Sequence, residues 1–465
     1  MVRERWHLSP HDDSPAVDSL RVTPAAATGA PTQHPPTRNT PRQAAIRGKA
    51  LELATQILLV TLIPRLLGPA DFGRMTVALA IVTLGAVAIS LGAPSALARF
   101  VPGEPEPRRA GLARSMTYQL LPLRGAQLAI AGIICAILVF TGPQFGALDA
   151  GLVFVALCAE VAAILAAQIA LGIGETWIWS FRISVRNLAL LVLVPILAPL
   201  AGSAGVLTSV TLGSVAGLLF AASQVASLVR HAERGVPVPA GAMQFGRVAG
   251  LAVLVGQLTY RGPVIAASVL GLAADEVGFA GLAASIAMAI IFAVRELFTV
   301  SLPELVGSWS RDPSDADRRL RHLGERALWV LTACAIGGIL ALDRVLPLVV
   351  GDQFAPATAP MIPVLAMLPL LPLQAIGVQS ASLRLRPGLP LAIDSVSLVA
   401  FAVAAVALVP RWQAAGASAA LLIAITTSAL LTARALPAVV TTRLLSIGLL
   451  AGGSVLAIAV ALRNW

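Results

Sequence analysis

Apolar runs recur along this chain from about residue 44 onward, among them Thr76 to Ala98, Gln127 to Phe140 with its flanks, Leu188 to Pro199, Leu328 to Leu342 and Leu444 to Leu462. Crossing the hydrocarbon core of a membrane takes about 20 largely apolar residues, because that core is about 30 Å thick. Inside it every backbone N–H and C=O must be satisfied within the segment, so each run is predicted to be a helix. Charged residues make up only 12% of the chain, too few to cover the surface of a water-soluble domain. The fold class that follows is an all-α polytopic membrane protein with about 12–14 transmembrane helices. Thirteen spans are expected, near residues 46–66, 74–98, 119–141, 148–172, 177–200, 204–229, 248–270, 277–303, 327–350, 359–383, 390–409, 414–436 and 443–462.

The net charge of +10 does not point to nucleic acid. The basic residues sit in short loops between apolar blocks, which is the pattern of a topology signal. One set of alternate loops carries Arg99, Arg108, Arg109 and Arg114, then Arg230, Arg234 and Arg247, then Arg311, Arg318, Arg319, Arg321 and Arg326, then Arg384 and Arg386, then Arg434 and Arg443. The other loops are poor in arginine. The multi-pass chain is therefore expected in the cytoplasmic membrane with its N-terminus in the cytoplasm. The segment from Arg311 to Arg326 is expected to be a solvated loop hugging the membrane, the alternative being a short helix capped by Ser314 or Asp315. Residues 1–43 are rich in Pro, Ala, Thr and charge and are read as a disordered cytoplasmic tail without the apolar stretch of a signal peptide. Cys135, Cys158 and Cys334 lie in apolar segments without metal-ligand spacing, so no metal or cofactor is expected.

An internal repeat organises the rest. PRLLGPADFGRMTVALA in the first half and ASVLGLAADEVGFAGLAAS in the second share Leu-Gly, a short Ala-Asp turn, a Gly and a small-residue helix. Gly68 and Gly271 align, 203 positions apart (271 − 68). Six helices per half is an even number, so the halves enter the membrane in the same sense and form a parallel repeat. The expected units are a six-helix lobe at 44–235, a second at 236–437, and an extra transmembrane helix at 438–465.

RLLGPADFGRMTVALAIVTLGAVAISLGAPSALARFVP also resembles the amino-terminal signature of the polysaccharide-biosynthesis flippases, a family of the multidrug/oligosaccharidyl-lipid/polysaccharide exporter superfamily. Three second-half segments extend the resemblance: YRGPVIAASVLGLAADEVGFAGLAASIA, VLPLVVGDQFAPATAPMIPVLA and VPRWQAAGASAALLIA. Together they span roughly residues 46 to 436. The resemblance implies two six-helix lobes forming a V and the export of polyprenyl-pyrophosphate-linked oligosaccharides. It implies as partners the lipid-linked saccharide, membrane lipid, and the glycosyltransferases or polymerase of a polysaccharide pathway. Many members carry an acidic residue just before the basic one in the first helix of the second lobe. This chain has Tyr260-Arg261 instead, so no ion-pair role carries over to that position.

Charges within the spans nominate the site, because each costs about 2.5–3.5 kcal/mol at mid-bilayer unless it faces a cavity or a partner. Arg261 falls about halfway along its predicted helix, with Gln257 and Ser268 on its face and Tyr260 at the edge. A guanidinium suits pyrophosphate because its planar fork donates paired hydrogen bonds and stays charged. The alternative for Arg261 is satisfaction by backbone carbonyls or by Glu160. Arg295 and Glu296 point about 100° apart and need different partners. Lys49, Glu52 and Gln56 share a face of the first helix, and Lys49 is the chain's single lysine. The substrate-binding candidates are thus Arg261, Tyr260, Gln257, Arg295, Glu296, Gln56 and Glu52. Glu160, alone in the fourth helix, is the ion-coupling candidate, with pairing to an arginine as its alternative. Arg182 and Arg186, near the start of the fifth helix, are expected to snorkel toward the interface.

Short loops between the spans leave no room for an enzyme active site. Gly48-Lys49 is followed by Ala50 and lacks the upstream glycine of a phosphate loop, so no ATPase is expected. The rival readings are a multidrug or other lipid exporter of the same superfamily and a non-transporting membrane subunit of a polysaccharide synthesis complex.

Overall fold

The computed structural model describes residues 41–119, 125, 128, 146–301, 305, 308, 309, 311–384, 386 and 388–463. Among these the helices are α1 (Pro41–Ile89), α2 (Ala93–Phe100), α3 (106–119), α4 (Ala147–Ile173), α5 (Thr176–Arg230), α6 (Ala242–Val269), α7 (Ala274–Val300), α8 (Pro313–Val350), α9 (Thr358–Met367), α10 (Leu371–Leu383), α11 (Gly388–Ala435) and α12 (Thr442–Arg463), and there is no strand among the described residues. Residues 1–40 of the expected tail and most of the expected third span lie outside the described residues, while residues 41–43, expected in the tail, open α1 instead.

Nine segments among the described residues are long and apolar enough to cross a membrane. Three of them, α1, α5 and α11, hold 49, 55 and 48 residues. At 1.5 Å per residue each would run about 70–80 Å, more than twice the hydrocarbon thickness. Each breaks once instead: at Gly68 (φ 75°), at Ala201-Gly202 (φ 56° at the glycine) and at Gln413 (φ 51°). The breaks divide three segments into hairpins, so the described residues make twelve passages.

The breaks also carry the repeat. Gly68 and its counterpart Gly271 both have φ 75°. Gly202 (φ 56°, ψ −134°) and Gln413 (φ 51°, ψ −129°) adopt the same turn 211 positions apart (413 − 202). Three residues on, the chain folds back tightly in both halves. A Cβ on Gly205 would fall 1.9 Å from the Leu197 carbonyl oxygen, and one on Gly416 would fall 2.4 Å from that of Leu408. Gln413 is the one described non-glycine residue with positive φ, and the following helix is capped from elsewhere: Ala414 N–H donates to Glu276 at 3.1 Å.

The arginine-rich loops gather at one end of the molecule. Arg114 donates to the carbonyls of Val229, Arg230 and Ala232, Arg321 to that of Ala438, and Arg384 to Asp317 at 2.8 Å. This arginine end corrects one expectation. Residues 313–326 are the start of α8, continuous with its span, and no surface loop is present there. The cap is Asp312, whose carboxylate accepts from the N–H and hydroxyl of Ser314, followed by Pro313 at the first helical position. Asp315 then pairs with Arg318 and Arg319, three and four residues on. Local capping and ion pairs extend the helix beyond its apolar stretch, which the hydropathy pattern alone does not register.

Glycines hold the two lobes together at both ends. At the turn end, Gly73 of α1 meets its repeat equivalent, Gly278 of α7. A Cβ on Gly278 would lie 2.0 Å from the Pro69 carbonyl oxygen, and one on Gly281 2.4 Å from the Thr76 hydroxyl. At the arginine end, a Cβ on Gly250 would lie 2.2 Å from the Gly92 nitrogen and one on Gly246 2.5 Å from the Gly92 carbonyl oxygen. Small residues let helix backbones approach closely where apolar burial gives no driving force. Gly278→Ala is therefore expected to force the lobes apart at the turn end and cost about 1–3 kcal/mol through overpacking. Thermal unfolding in detergent, with disulfide cross-linking between Asp71→Cys and Asp275→Cys, checks this. Unchanged stability and unchanged cross-linking would contradict it.

Candidate functional site

Inside the first lobe, α4 supplies Glu160 and the first half of α5 supplies Arg182 and Arg186. Glu160 is buried, with Arg182 at 2.6 Å and Arg186 at 3.5 Å. The expectation that these arginines snorkel is wrong. Their side chains are 10% and 15% exposed and turn inward onto the carboxylate. One buried acid outweighs the reach of the interface, because leaving it unpaired in a low-dielectric interior costs several kcal/mol. Glu160, the ion-coupling candidate, is thus engaged by two cations. Next on α5, the buried Asn187 donates to Thr55 at 3.3 Å and to Gln56 at 3.4 Å, tying α5 to α1.

Arg261 approaches this group from α6 of the second lobe. It stands eight residues before the end of α6, in its second half rather than at its middle, because the helix begins at Ala242. Arg186 lies near enough for the two guanidinium charges to repel. Among the described residues Arg261 forms no hydrogen bond or ion pair, and its buried Nε is without a partner. The Nε of Arg186, the Oε1 of Gln257 one turn below Arg261, and the Oδ1 of Asn187 are also buried and unpartnered. Two arginines of the first lobe therefore share one carboxylate, while Arg261 of the second lobe adds an unpaired guanidinium beside them.

The other nominated residues fall into two groups. Lys49 pairs with Glu52 at 2.9 Å, reaches Glu296 of the second lobe at 3.7 Å, and lies 4.1 Å above the Trp179 ring. Glu52, Glu296 and Gln56 thus line the junction of α1 with α7. Tyr260 and Arg295 turn the other way, into the second lobe. Tyr260 is buried, in hydrogen-bond contact with Gln374, and Arg295 and Asp394 lie close to it. Arg295 and Glu296 do take different partners, as the helical spacing requires. Asp394, Gln374, Arg186 and Asn187 were not nominated from sequence. Two of these offered a signal: Asp394 as the single acid in the first half of α11, and Arg186 as a charge near the start of an expected span.

A cavity of about 710 Å³ adjoins the Lys49 junction, between α1 on one side and α7, α8 and α9 on the other. Its walls are aliphatic apart from Gln56, Thr61 and Arg326. Charged and apolar surfaces thus lie side by side along the lobe interface, with Gln56 belonging to both.

This is the fold of the transporters of the multidrug/oligosaccharidyl-lipid/polysaccharide exporter superfamily. Among solved structures it is similar to the lipid II flippase MurJ in an inward closed conformation, with a TM-score of 0.64 and 12% identity over 90% of this chain and 92% of that one. It is similar to a MATE transporter in complex with MaL6, with a TM-score of 0.63 and 15% identity over 90% of this chain and 98% of that one. A MOP superfamily transporter from Pyrococcus furiosus, described as having a binding pocket of reverse polarity, gives a TM-score of 0.61 and 15% identity over 91% of this chain and 97% of that one. No protein-family model matches the sequence, and no curated protein does.

Proposed function

We propose that this protein is a flippase, moving a polyprenyl-pyrophosphate-linked oligosaccharide or polysaccharide repeat unit across the cytoplasmic membrane by alternating access. The carrying observation is the pair of under-satisfied arginines, Arg186 from one lobe, which shares Glu160 with Arg182, and Arg261 from the other, which has no carboxylate partner among the described residues. A buried cation without a partner is costly, and two that repel are costlier. A pyrophosphate supplies the missing charge and accepts from both guanidinium forks. Binding it would draw the lobes together, and release would let them part, which couples the anion to lobe movement. The cationic group favours an anionic lipid over the cationic drugs that would need an acidic cavity. Inorganic pyrophosphate added to the detergent-purified protein is expected to raise its unfolding temperature, and a cationic dye is not. The reverse order would favour the drug-exporter reading.

The arginine end is the cytoplasmic end in this reading, by the excess of basic residues in its loops. Cysteines substituted for Arg109, Arg234 or Arg319 are expected to resist an impermeant thiol reagent in intact cells, while Ala274→Cys is labelled. The opposite pattern would invert the orientation.

A further inference from the structure

We propose that Asn187 and Gln257 read the hydrogen-bond donors of the sugar next to the pyrophosphate, so that this protein separates a glycosylated lipid carrier from the bare polyprenyl pyrophosphate. This rests on the reading of Arg186 and Arg261 as the seat of the anionic headgroup. Four buried atoms around that seat are without a partner: Nε of Arg186 and Oδ1 of Asn187 in the first lobe, Nε of Arg261 and Oε1 of Gln257 in the second. They are of opposite kinds. A guanidinium only donates hydrogen bonds, and an amide oxygen only accepts them.

The surroundings of Asn187 fix which end of its amide is free. Its Nδ2 donates to Thr55 Oγ1 at 3.3 Å and to Gln56 Oε1 at 3.4 Å. The Thr55 hydroxyl gives its own proton to the Glu52 carbonyl at 3.0 Å, so it offers Asn187 only lone pairs. The end facing Thr55 is therefore the NH2, and the orphaned end is oxygen. Asn187 is fully buried and follows Arg186 directly in α5. Gln257 is 8% exposed and stands one helical turn from Arg261 on α6.

Pyrophosphate answers only half of this set. Its ionised oxygens accept from the guanidinium forks but bring no donor to either amide oxygen, and they set negative charge against both. A carrier that ends in pyrophosphate leaves two buried acceptors unmet, which is the costly side of hydrogen bonding. A saccharide on the same pyrophosphate supplies what is missing. Its anomeric oxygen joins the phosphate, and its 2-substituent, a hydroxyl or an acylamino N–H, is the donor nearest that bond. The four atoms together thus match an anion flanked by donors. Such a site rejects an analogue that lacks the donors, because its own polar groups then stay unpaired. Loss of the saccharide after translocation removes those contacts, which disfavours return of the bare carrier through the same path.

The test compares geranyl pyrophosphate with geranyl-pyrophosphoryl-N-acetylglucosamine, bound to the full chain in detergent. The parent is expected to bind the glycosylated probe at least about tenfold more tightly. Gln257→Met keeps the side chain's length and removes its acceptor, and is expected to cut that preference to about threefold or less without lowering the unfolding temperature, since no partner is orphaned. Asn187→Leu is expected to cut it likewise and serves if the first variant fails to fold. Equal binding of the two probes by the parent, or a preference that survives either folded variant, overturns the proposal and leaves the headgroup reading standing. A Gln257→Met protein that unfolds several degrees earlier and weakens both probes alike shows Gln257 to be structural, which also overturns it. Failure of the parent to bind either probe overturns the headgroup reading, and this proposal with it.

Discussion

Arg261→Ala is expected to lower transport of lipid-linked saccharide by roughly ten- to a hundredfold while leaving the protein as stable as its parent or more so. A hydrogen bond to a charged group contributes about 1.5–3 kcal/mol, and each 1.4 kcal/mol is tenfold in an equilibrium. The stability half follows from the missing partner. Removing a cation that pairs with nothing among the described residues and is repelled by Arg186 leaves no group newly orphaned. Arg261→Lys should recover only part of the function, because an ammonium cannot present the two-pronged donor set. Binding and thermal unfolding measured on the same variant decide it. A variant that binds the lipid-linked saccharide as well as the parent does, or that unfolds several degrees earlier, would show Arg261 to be structural.

Glu160→Gln is expected to act in the opposite way. It leaves the charges of Arg182 and Arg186 buried without their carboxylate, and breaking a buried pair by removing one partner costs about 3–5 kcal/mol. A marked fall in unfolding temperature follows, and Arg182→Met in the same chain should restore much of it, since the two residues share one interaction. Ion coupling through Glu160 predicts otherwise: normal stability, with transport that no longer responds to pH or sodium.

The membrane fold was legible because hydropathy records it directly. The hairpins were legible at Gly68 and Gly271, where Leu-Gly-x-Ala punctuates both halves. The second turn pair was not connected from sequence, because Gly202 and Gln413 share a backbone conformation without sharing a residue type, and their spacing differs from that of the first pair. In α8 the capping alternative fell on Ser314 or Asp315, two to three residues past the actual cap Asp312, and the density of charge beyond it reads as a loop. Among site residues, the helix face carrying Gln257 and Arg261 and the divergence of Arg295 from Glu296 followed from the 100° step. The partners did not. That Glu160 meets Arg182 and Arg186 depends on how α4 packs on α5. That Tyr260 belongs to the second lobe's interior depends on Gln374 and Asp394, more than a hundred residues away.

On the flippase reading, an anionic lipid-linked saccharide crosses the membrane through this protein. Reconstituting the full chain into liposomes with a fluorescent polyprenyl-pyrophosphate-linked saccharide in one leaflet, and following quenching by a membrane-impermeant reductant, measures that crossing. The parent protein is expected to equilibrate the probe between leaflets, with Arg261→Ala close to the rate of protein-free liposomes. If the parent is no faster than protein-free liposomes while the same preparation extrudes a cationic dye, the flippase account is wrong and the chain is a drug exporter.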